Sequence, residues 1–297
     1  MRSQNTGAIE NVIRELSEQD ILEIFKRICM IRYFELNVKK AFDKGLIKMP
    51  IYLSVGQESV AAALSLVYPD AAIFGQHRCH DLYLAYGGSV EALIDELLHR
   101  PTGCAKGMGG SASIHSPAIN MFGHDGLMGT QIPIAVGYAF AKNKRTLAVM
   151  GDASAEEDYV LGALGYAAHK KLPMAFVCMD NGLSILTKVA VRRNWKMTDI
   201  AAAFGIQAVE ITDNPWLIVH HMRKFGGAMP IFMNIHVVRH LWHNGTGVDG
   251  PPEWDRFALI KEELQKVGMN EKITSIEEDA RDSMDRAWET QLALGTI

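Results

Sequence analysis

The sequence predicts an α/β protein built on a doubly wound, mostly parallel sheet. Helical and strand-like patterns alternate through the middle of the 297-residue chain, which is typical of a sheet with helices on both faces. Small polar clusters also follow two buried strand patterns. Ligands of such sheets sit beyond the carboxyl ends of the strands, so these clusters indicate where a site lies.

Each element has its own signal. The expected helices share apolar positions at helical spacing and cover 18–46, 57–66, 89–99, 131–141, 156–169, 199–204 and 215–225, the first with Ser17 as its N-cap. The expected strands are short apolar runs and cover 71–75, 146–150, 174–179, 206–211 and 230–237. The charged stretch that follows predicts a C-terminal helical tail (about 254–297) on a single domain, 1–297.

Residues 103–129 differ from the rest of the chain. They are rich in Gly and Ser and show no sustained apolar period. Because long loops inside compact domains are usually functional, we expect this loop to serve the site.

Composition excludes several classes of protein. The net charge is −4 and the basic residues are scattered, so nucleic acid is not an expected partner. The four cysteines have no paired spacing that would suggest zinc or a disulfide framework. No apolar run reaches membrane-spanning length and no signal peptide is seen, so we expect a cytoplasmic protein that does not enter the membrane.

The strongest functional signal is a pair of oxygen-bearing side chains. Asp152 follows one buried strand pattern and Asn181 follows the next, with a single helix between them. Strands joined by one crossover helix often lie side by side, which would bring both side chains to one sheet edge. Carboxylate, amide and carbonyl oxygens suit Mg²⁺, which leaves positions open for a ligand's phosphates.

Each of these signals has a simpler interpretation. Gly-Asp and Asp-Asn-Gly are common turn sequences, and only their joint placement makes coincidence improbable. The glycines of 103–110 follow a helix, not a strand, which argues against a dinucleotide site, and no Walker loop is present. Arg78 is the best side chain for a phosphate oxygen pair, whereas most of the 11 histidines are expected to be structural.

Several motifs in order resemble the alpha subunit of the decarboxylating component of 2-oxo acid dehydrogenase complexes (the pyruvate, acetoin and branched-chain type). The resemblance covers roughly residues 18–245. The motifs that carry it are 56–58 (Gly-Gln-Glu), 76–80, 103–111, 126–133, 151–181 and 239–243. The stretch 151–181 is similar to the thiamine diphosphate motif of that superfamily, so the resemblance implies a thiamine diphosphate-binding fold with thiamine diphosphate and Mg²⁺ as cofactors.

The resemblance also implies roles for individual residues. The Mg²⁺ ligands would be Asp152, the Asn181 side chain and the Leu183 carbonyl. The cofactor-binding residues would be His77, Arg78, Leu127, Gly129, Gly151, Asp152, Ala153, Ser154, Asn181, Leu183 and His243. His77 stands where the family has a tyrosine beside its phosphate-binding arginine. His243 and His80 match family histidines, and we take them as the catalytic candidates.

Two departures from the family motif bear on this site. Ala153 replaces a glycine, which is acceptable only where its backbone φ is negative. Asp180 replaces an asparagine and brings a negative charge close to the site, where it would either strengthen metal binding or repel diphosphate.

The resemblance implies an enzyme that works with a separate β subunit, as an α₂β₂ assembly, because the family's activating Glu comes from that subunit. The expected reaction is decarboxylation of a 2-oxo acid with transfer of the acyl unit to an acceptor, of which a lipoyl domain is one candidate. One alternative is carbon–carbon bond formation on a ketose-like substrate, as in acyloin synthases or transketolases. The other is a non-catalytic scaffold subunit.

Overall fold

The protein is built around one parallel sheet. The computed structural model describes residues 12–123, 126–225, 227 and 229–295. The strands are β1 (Ala72–Phe74), β2 (Met121–Phe122), β3 (Thr146–Gly151), β4 (Met174–Asp180), β7 (Gln207–Thr212) and β8 (Ile231–His236), in the order β2-β1-β3-β4-β8-β7. Every neighbouring pair in this sheet is parallel. A separate antiparallel hairpin consists of β5 (Leu183–Ser184) and β6 (Thr187–Lys188).

Helices connect the strands and cover the sheet. In chain order they are α1 (Glu18–Asp43), α2 (Glu58–Val67), α3 (His80–Ala85), α4 (Val90–Leu97), α5 (Gln131–Lys142), α6 (Asp158–Lys170), α7 (Val189–Arg192), α8 (Met197–Ala203), α9 (Pro215–Phe225), α10 (Arg256–Lys266) and α11 (Asn270–Ala293). Short 3₁₀ turns cover Pro117–Ile119, Ser154–Glu156 and Pro252–Trp254. None of the helices described in these ranges is long and apolar enough to cross a membrane.

The sheet is buried on both faces. Successive residues of β3 and β4 alternate between two separate apolar clusters: Val149 and Val177 pack on one side, Met150 and Phe176 on the other. Helices α1, α2 and α9 contribute to the first cluster, and α5, α6 and α8 to the second. This confirms the doubly wound α/β fold, because each strand needs apolar side chains on both faces.

The predicted strand–helix–strand unit forms as expected. β3 and β4 are direct parallel neighbours, with Gly151 opposite Met179 at the carboxyl end. Ser17 caps α1 by accepting a hydrogen bond from the Asp20 amide at 3.1 Å. Three short strands are missing from the prediction. Met121 and Phe122, within the expected loop, add a two-residue edge strand beside β1, and the hairpin strands β5 and β6 follow β4.

The C-terminal helices do not form a tail. α11 lies along α1, where the buried Trp288 contacts Phe34 at 5.8 Å between ring centroids. The Tyr33 hydroxyl donates to Glu277 at 2.7 Å, and the Asn37 amide to Asp285 at 2.7 Å. The expected helical character is correct, but the charged residues alternate with a buried stripe that belongs to the main core.

The glycine-rich motif has a structural role. The buried carboxylate of Glu96 accepts four backbone N–H groups from this loop, those of Ala105, Gly107, Gly109 and Gly110, at 2.7–2.9 Å. A Cβ added at Gly107 would lie 2.7 Å from backbone atoms of His99, because the chain passes so close to α4. The glycines therefore allow the loop to wrap around Glu96. The prediction that this loop serves the site needs correction for residues 103–110, none of which lines the cavity described next.

Candidate active site

A cavity of about 430 Å³ lies at the carboxyl ends of β1, β3 and β4. This volume is within the range of small-molecule sites. It is lined by Tyr52, Gln57, Gln76, His77, Arg78, Ala112, Gly126, Met128, Gly151, Asp152, Ala153, Ser154, Met179, Asn181, Leu183, Ser184, Ile185 and His243. Nine of the residues predicted to bind cofactor or metal are among them: His77, Arg78, Gly151, Asp152, Ala153, Ser154, Asn181, Leu183 and His243.

The strand ends bring the predicted metal ligands together. Asp152 directly follows β3, and Asn181 directly follows β4. The Asn181 side-chain oxygen accepts the Leu183 amide at 3.0 Å, so Asn181 also shapes the turn that leads into β5. Ala153 has a φ of −74°, which is ordinary for alanine. The replacement of glycine at this position therefore introduces no backbone strain.

A cation from the protein itself pairs with the acidic residue that lines the cavity, Asp152. The Arg192 guanidinium at the end of α7 donates to the Asp152 carboxylate and lies 3.3 Å from Glu156. Arg193 lies 3.2 Å from Glu156 and donates to the Asp152 carbonyl at 3.3 Å. The carboxylate predicted to bind Mg²⁺ is thus ion-paired to an arginine that no sequence argument singled out.

Burial and a second acid raise the pKa of Asp152. Burial is the larger cause, followed by the charge of Asp180, and Arg192 partly opposes both. Asp180 itself does not line the cavity, because its oxygens accept from the Gly182 amide at 2.9 Å and the Asn234 amide at 3.1 Å. Two acids in a buried place favour a bound cation, which Arg192 provides here.

Arg78 connects two chain segments at the cavity wall. Its guanidinium donates to the Leu53 carbonyl and, at 2.9 Å, to the His243 carbonyl. Burial, and then the nearby Arg239, lower its pKa to about 10, so it remains charged at neutral pH. Burial lowers the pKa of His243 to about 4, with Arg78 and Arg239 contributing, so the imidazole is neutral at pH 7.

Three rings line the same wall. His77 and His243 lie 5.2 Å apart between centroids, and Tyr52 meets both edge-on, at 4.8 Å and 5.5 Å. We refer to Tyr52, His77 and His243 as the ring cluster. Tyr52 was not predicted to be at the site, since a lone tyrosine after a Pro-Ile pair carries no sequence signal.

The structure does not bring three predicted residues to the cavity. His80 is fully buried between Glu35 and Ser111 and does not line the cavity, which does not support its predicted catalytic role. Leu127 is 60% exposed, and its neighbours Gly126 and Met128 line the wall instead. Gly129 does not line the cavity either. Its φ is +88°, and a Cβ added at this position would lie 3.2 Å from the Ser154 carbonyl oxygen.

Comparison with known structures defines the class of fold. The structure is similar to a transketolase from Campylobacter jejuni, with a TM-score of 0.59 and 13% identity over 94% of this chain and 49% of that chain. A transketolase from Leishmania mexicana gives a TM-score of 0.55 and 15% identity, over 92% of this chain and 46% of that one. The chain thus has the fold of the transketolase-like proteins and spans about half of their length.

Sequence comparison identifies the family. The sequence model of the dehydrogenase E1 component matches residues 26–244, and the chain belongs to this family. It is 29% identical over 295 residues to the pyruvate dehydrogenase E1 component subunit alpha of Zymomonas mobilis (91% of this chain, 83% of that protein). It is 31% identical over 242 residues to the testis-specific mitochondrial form from Rattus norvegicus (77% and 61%). The chain therefore spans less than two thirds of the rat protein. These matches confirm the resemblance to the alpha subunit.

Proposed function

We propose that the chain is a thiamine diphosphate- and Mg²⁺-dependent alpha subunit that, with a separate β subunit, decarboxylates a 2-oxo acid and transfers the acyl unit. One observation carries the proposal. Asp152 and Asn181, at the ends of neighbouring parallel strands, share one cavity with Leu183 and Arg78. The proposal is supported because these residues of the family's motif line one cavity of suitable size.

The residues present fit the metal. Asp152, the Asn181 amide oxygen and the Leu183 carbonyl are hard oxygen donors, which Mg²⁺ prefers. The raised pKa of Asp152 reflects a buried negative charge that a cation stabilises. Arg192 pairs with Oδ2 of this carboxylate, so the guanidinium and Mg²⁺ would share or compete for Asp152.

The residues also fit a diphosphate. Arg78 supplies a buried positive charge at the wall, and the Gln57 side-chain nitrogen is a buried donor without a hydrogen-bond partner among the described residues. Buried unpaired donors of this kind are satisfied by a ligand acceptor. When bound, thiamine diphosphate supplies the carbanion chemistry that allows a 2-oxo acid to lose carbon dioxide. His243, neutral at pH 7, is able to accept a proton or a hydrogen bond at the wall.

The described lining of the cavity holds a single acid. Of the described residues that line it, Asp152 is the one acidic side chain, and it is assigned to the metal. In the proposed assembly the activating glutamate of the family comes from the β subunit. Exposed apolar side chains near the site support this, because such groups mark protein interfaces. They are Leu127, Ile185, Leu186, Val191, Trp242 and Val248, each at least 57% exposed. A β subunit, in an α₂β₂ assembly, would cover them.

Reconstitution tests this function. The purified chain is expected to release no carbon dioxide from 2-oxo acids, and a mixture with its β-type partner is expected to do so only with thiamine diphosphate and Mg²⁺. Acylation of an added lipoyl domain by the mixture would establish the dehydrogenase reaction. Turnover by the chain alone, or cofactor-independent turnover, would contradict the proposal.

A further inference from the structure

Buried polar side chains hold the segment Tyr52–Ser54 at three successive residues. The Tyr52 amide donates to the Ser111 hydroxyl at 2.9 Å, and the Ser54 amide to the Glu35 carboxylate at 2.8 Å. Between them, the Leu53 carbonyl accepts from Arg78. This segment has no regular secondary structure, yet buried side chains bond to its backbone at each of three residues. These hydrogen bonds fix the backbone position of Tyr52.

A buried chain of hydrogen bonds supports this arrangement. His80 lies 3.0 Å from Glu35 through Nδ1 and 2.9 Å from Ser111 through Nε2. Because the Tyr52 amide donates to Ser111, the serine proton can go to Nε2, which leaves Nδ1–H for Glu35. The order Ser–His–Glu is also that of a catalytic triad, in which a histidine base activates a serine nucleophile. Ser111, however, is 1% exposed and does not line the cavity, so it does not act as a nucleophile there. These three residues therefore act as positioning residues for Tyr52.

The Tyr52 side chain lines the cavity beside His77, the position at which the family resemblance expects a tyrosine. The resemblance gives a tyrosine at position 77, beside the arginine, whereas this chain has His77. The Tyr52 ring meets the His77 ring edge-on at 4.8 Å. None of the hydrogen bonds found among the described residues uses the Tyr52 hydroxyl, which leaves it available to a ligand.

We propose that Tyr52 is a cofactor-contacting residue whose hydroxyl donates a hydrogen bond to the diphosphate, supplying a phenol next to the position where His77 replaces the family tyrosine. This inference rests on the proposed function. A phenol is a good donor to a phosphate oxygen, and the charge of Arg78 lies close by. The alternative is that the hydroxyl contacts the substrate, and the experiment below separates the two.

The test compares Tyr52→Phe with the unaltered chain, each as the full chain with its β-type partner. Phenylalanine keeps the ring contacts and removes only the hydroxyl. Calorimetric titration with Mg²⁺ and thiamine diphosphate is expected to show that Tyr52→Phe binds the cofactor at least about tenfold more weakly than the unaltered chain. This factor is the cost of losing a hydrogen bond to a charged group. Magnesium pyrophosphate, as a competitor, is expected to lose affinity by the same factor. Tyr166→Phe, at a 43% exposed tyrosine that does not line the cavity, is the control and is expected to bind normally.

A second variant returns the hydroxyl to the neighbouring position. Tyr52→Phe combined with His77→Tyr is expected to regain most of the lost affinity. Unchanged cofactor affinity in Tyr52→Phe, with a higher KM for the 2-oxo acid, would overturn the proposal in favour of substrate contact. Loss of affinity without rescue, accompanied by a lower unfolding temperature, would overturn it in favour of a structural role. If the unaltered chain binds no cofactor, the proposed function itself fails.

Discussion

Asp152 shows how far single residues were predictable. The sequence predicted that Asp152 lies near Asn181, because each residue follows a strand and one crossover helix joins the two strands. Neighbouring parallel strands bring their carboxyl ends together. Its partner Arg192 was not predictable. The contact between Arg192 and Asp152 depends on how the hairpin β5–β6 and the short helix α7 fold back over the sheet edge. No local pattern in the sequence specifies that path.

We expect Arg192→Gln to destabilise the metal-free chain. The substitution leaves Asp152 buried beside Asp180 without its cation, and the free energy of unfolding should fall by about 2–3 kcal/mol, somewhat less than for fully buried pairs because Arg192 retains partial exposure. Mg²⁺ with thiamine diphosphate should raise the unfolding temperature of this variant more than that of the unaltered chain. The control is Arg223→Gln, which breaks an exposed pair with Asp20. Equal stability of both variants would contradict the account.

His243 is expected to make the stability of the folded chain depend on pH. Its pKa of about 4 in the folded chain lies below the 6.5 of an unperturbed histidine. Between these values the unfolded chain binds more protons than the folded one, so stability falls as the pH is lowered from about 6.5 to 4. We expect His243→Gln to reduce that loss, as measured by urea unfolding at several pH values. The exposed His169→Gln should leave the profile unchanged, and an unchanged profile in His243→Gln would show that the imidazole is not held neutral.

At the scale of elements, most helices and strands were predicted within a few residues, because their apolar spacing matches their burial. The exceptions have tertiary causes. The strand β2 is two residues long and exists only because Ile73 and Phe74 offer an edge to pair with. Residues 103–110 looked like a ligand loop because of their glycines, which instead allow the chain to approach the Glu96 carboxylate.

The packing of α11 on α1 makes a prediction for stability. Trp288 is 3% exposed and contacts Phe34. Trp288→Ala should lower the free energy of unfolding by about 3–5 kcal/mol, the usual cost of a large aromatic cavity. Denaturant unfolding measures this value. Leu294→Ala, at a side chain 70% exposed just beyond the same helix, should change it by about 0.5 kcal/mol or less. A small effect at Trp288 would mean that α11 is a detachable tail after all.

At the scale of the whole molecule, we propose that the chain provides one wall of a site shared with a β subunit. In this proposal the sheet edge, the ring cluster and Arg78 supply ligands for the metal and the phosphates, and the described lining offers no second acid. The family was recognisable from the sequence because its motifs are local and occur in order. The proposed partner's contribution could not be predicted in detail, because the residues that it would add to the site are not in this sequence.

Binding of thiamine diphosphate tests the central claim most directly. Titration of the chain with its β-type partner should show binding that requires Mg²⁺. Asp152→Asn should weaken it by about a hundredfold or more, beyond the about 10–100-fold typical of changes outside the metal's own ligands. Asp199→Asn, an exposed acid outside the cavity, should bind normally. Binding that is independent of Mg²⁺, or unaffected by Asp152→Asn, would contradict the account.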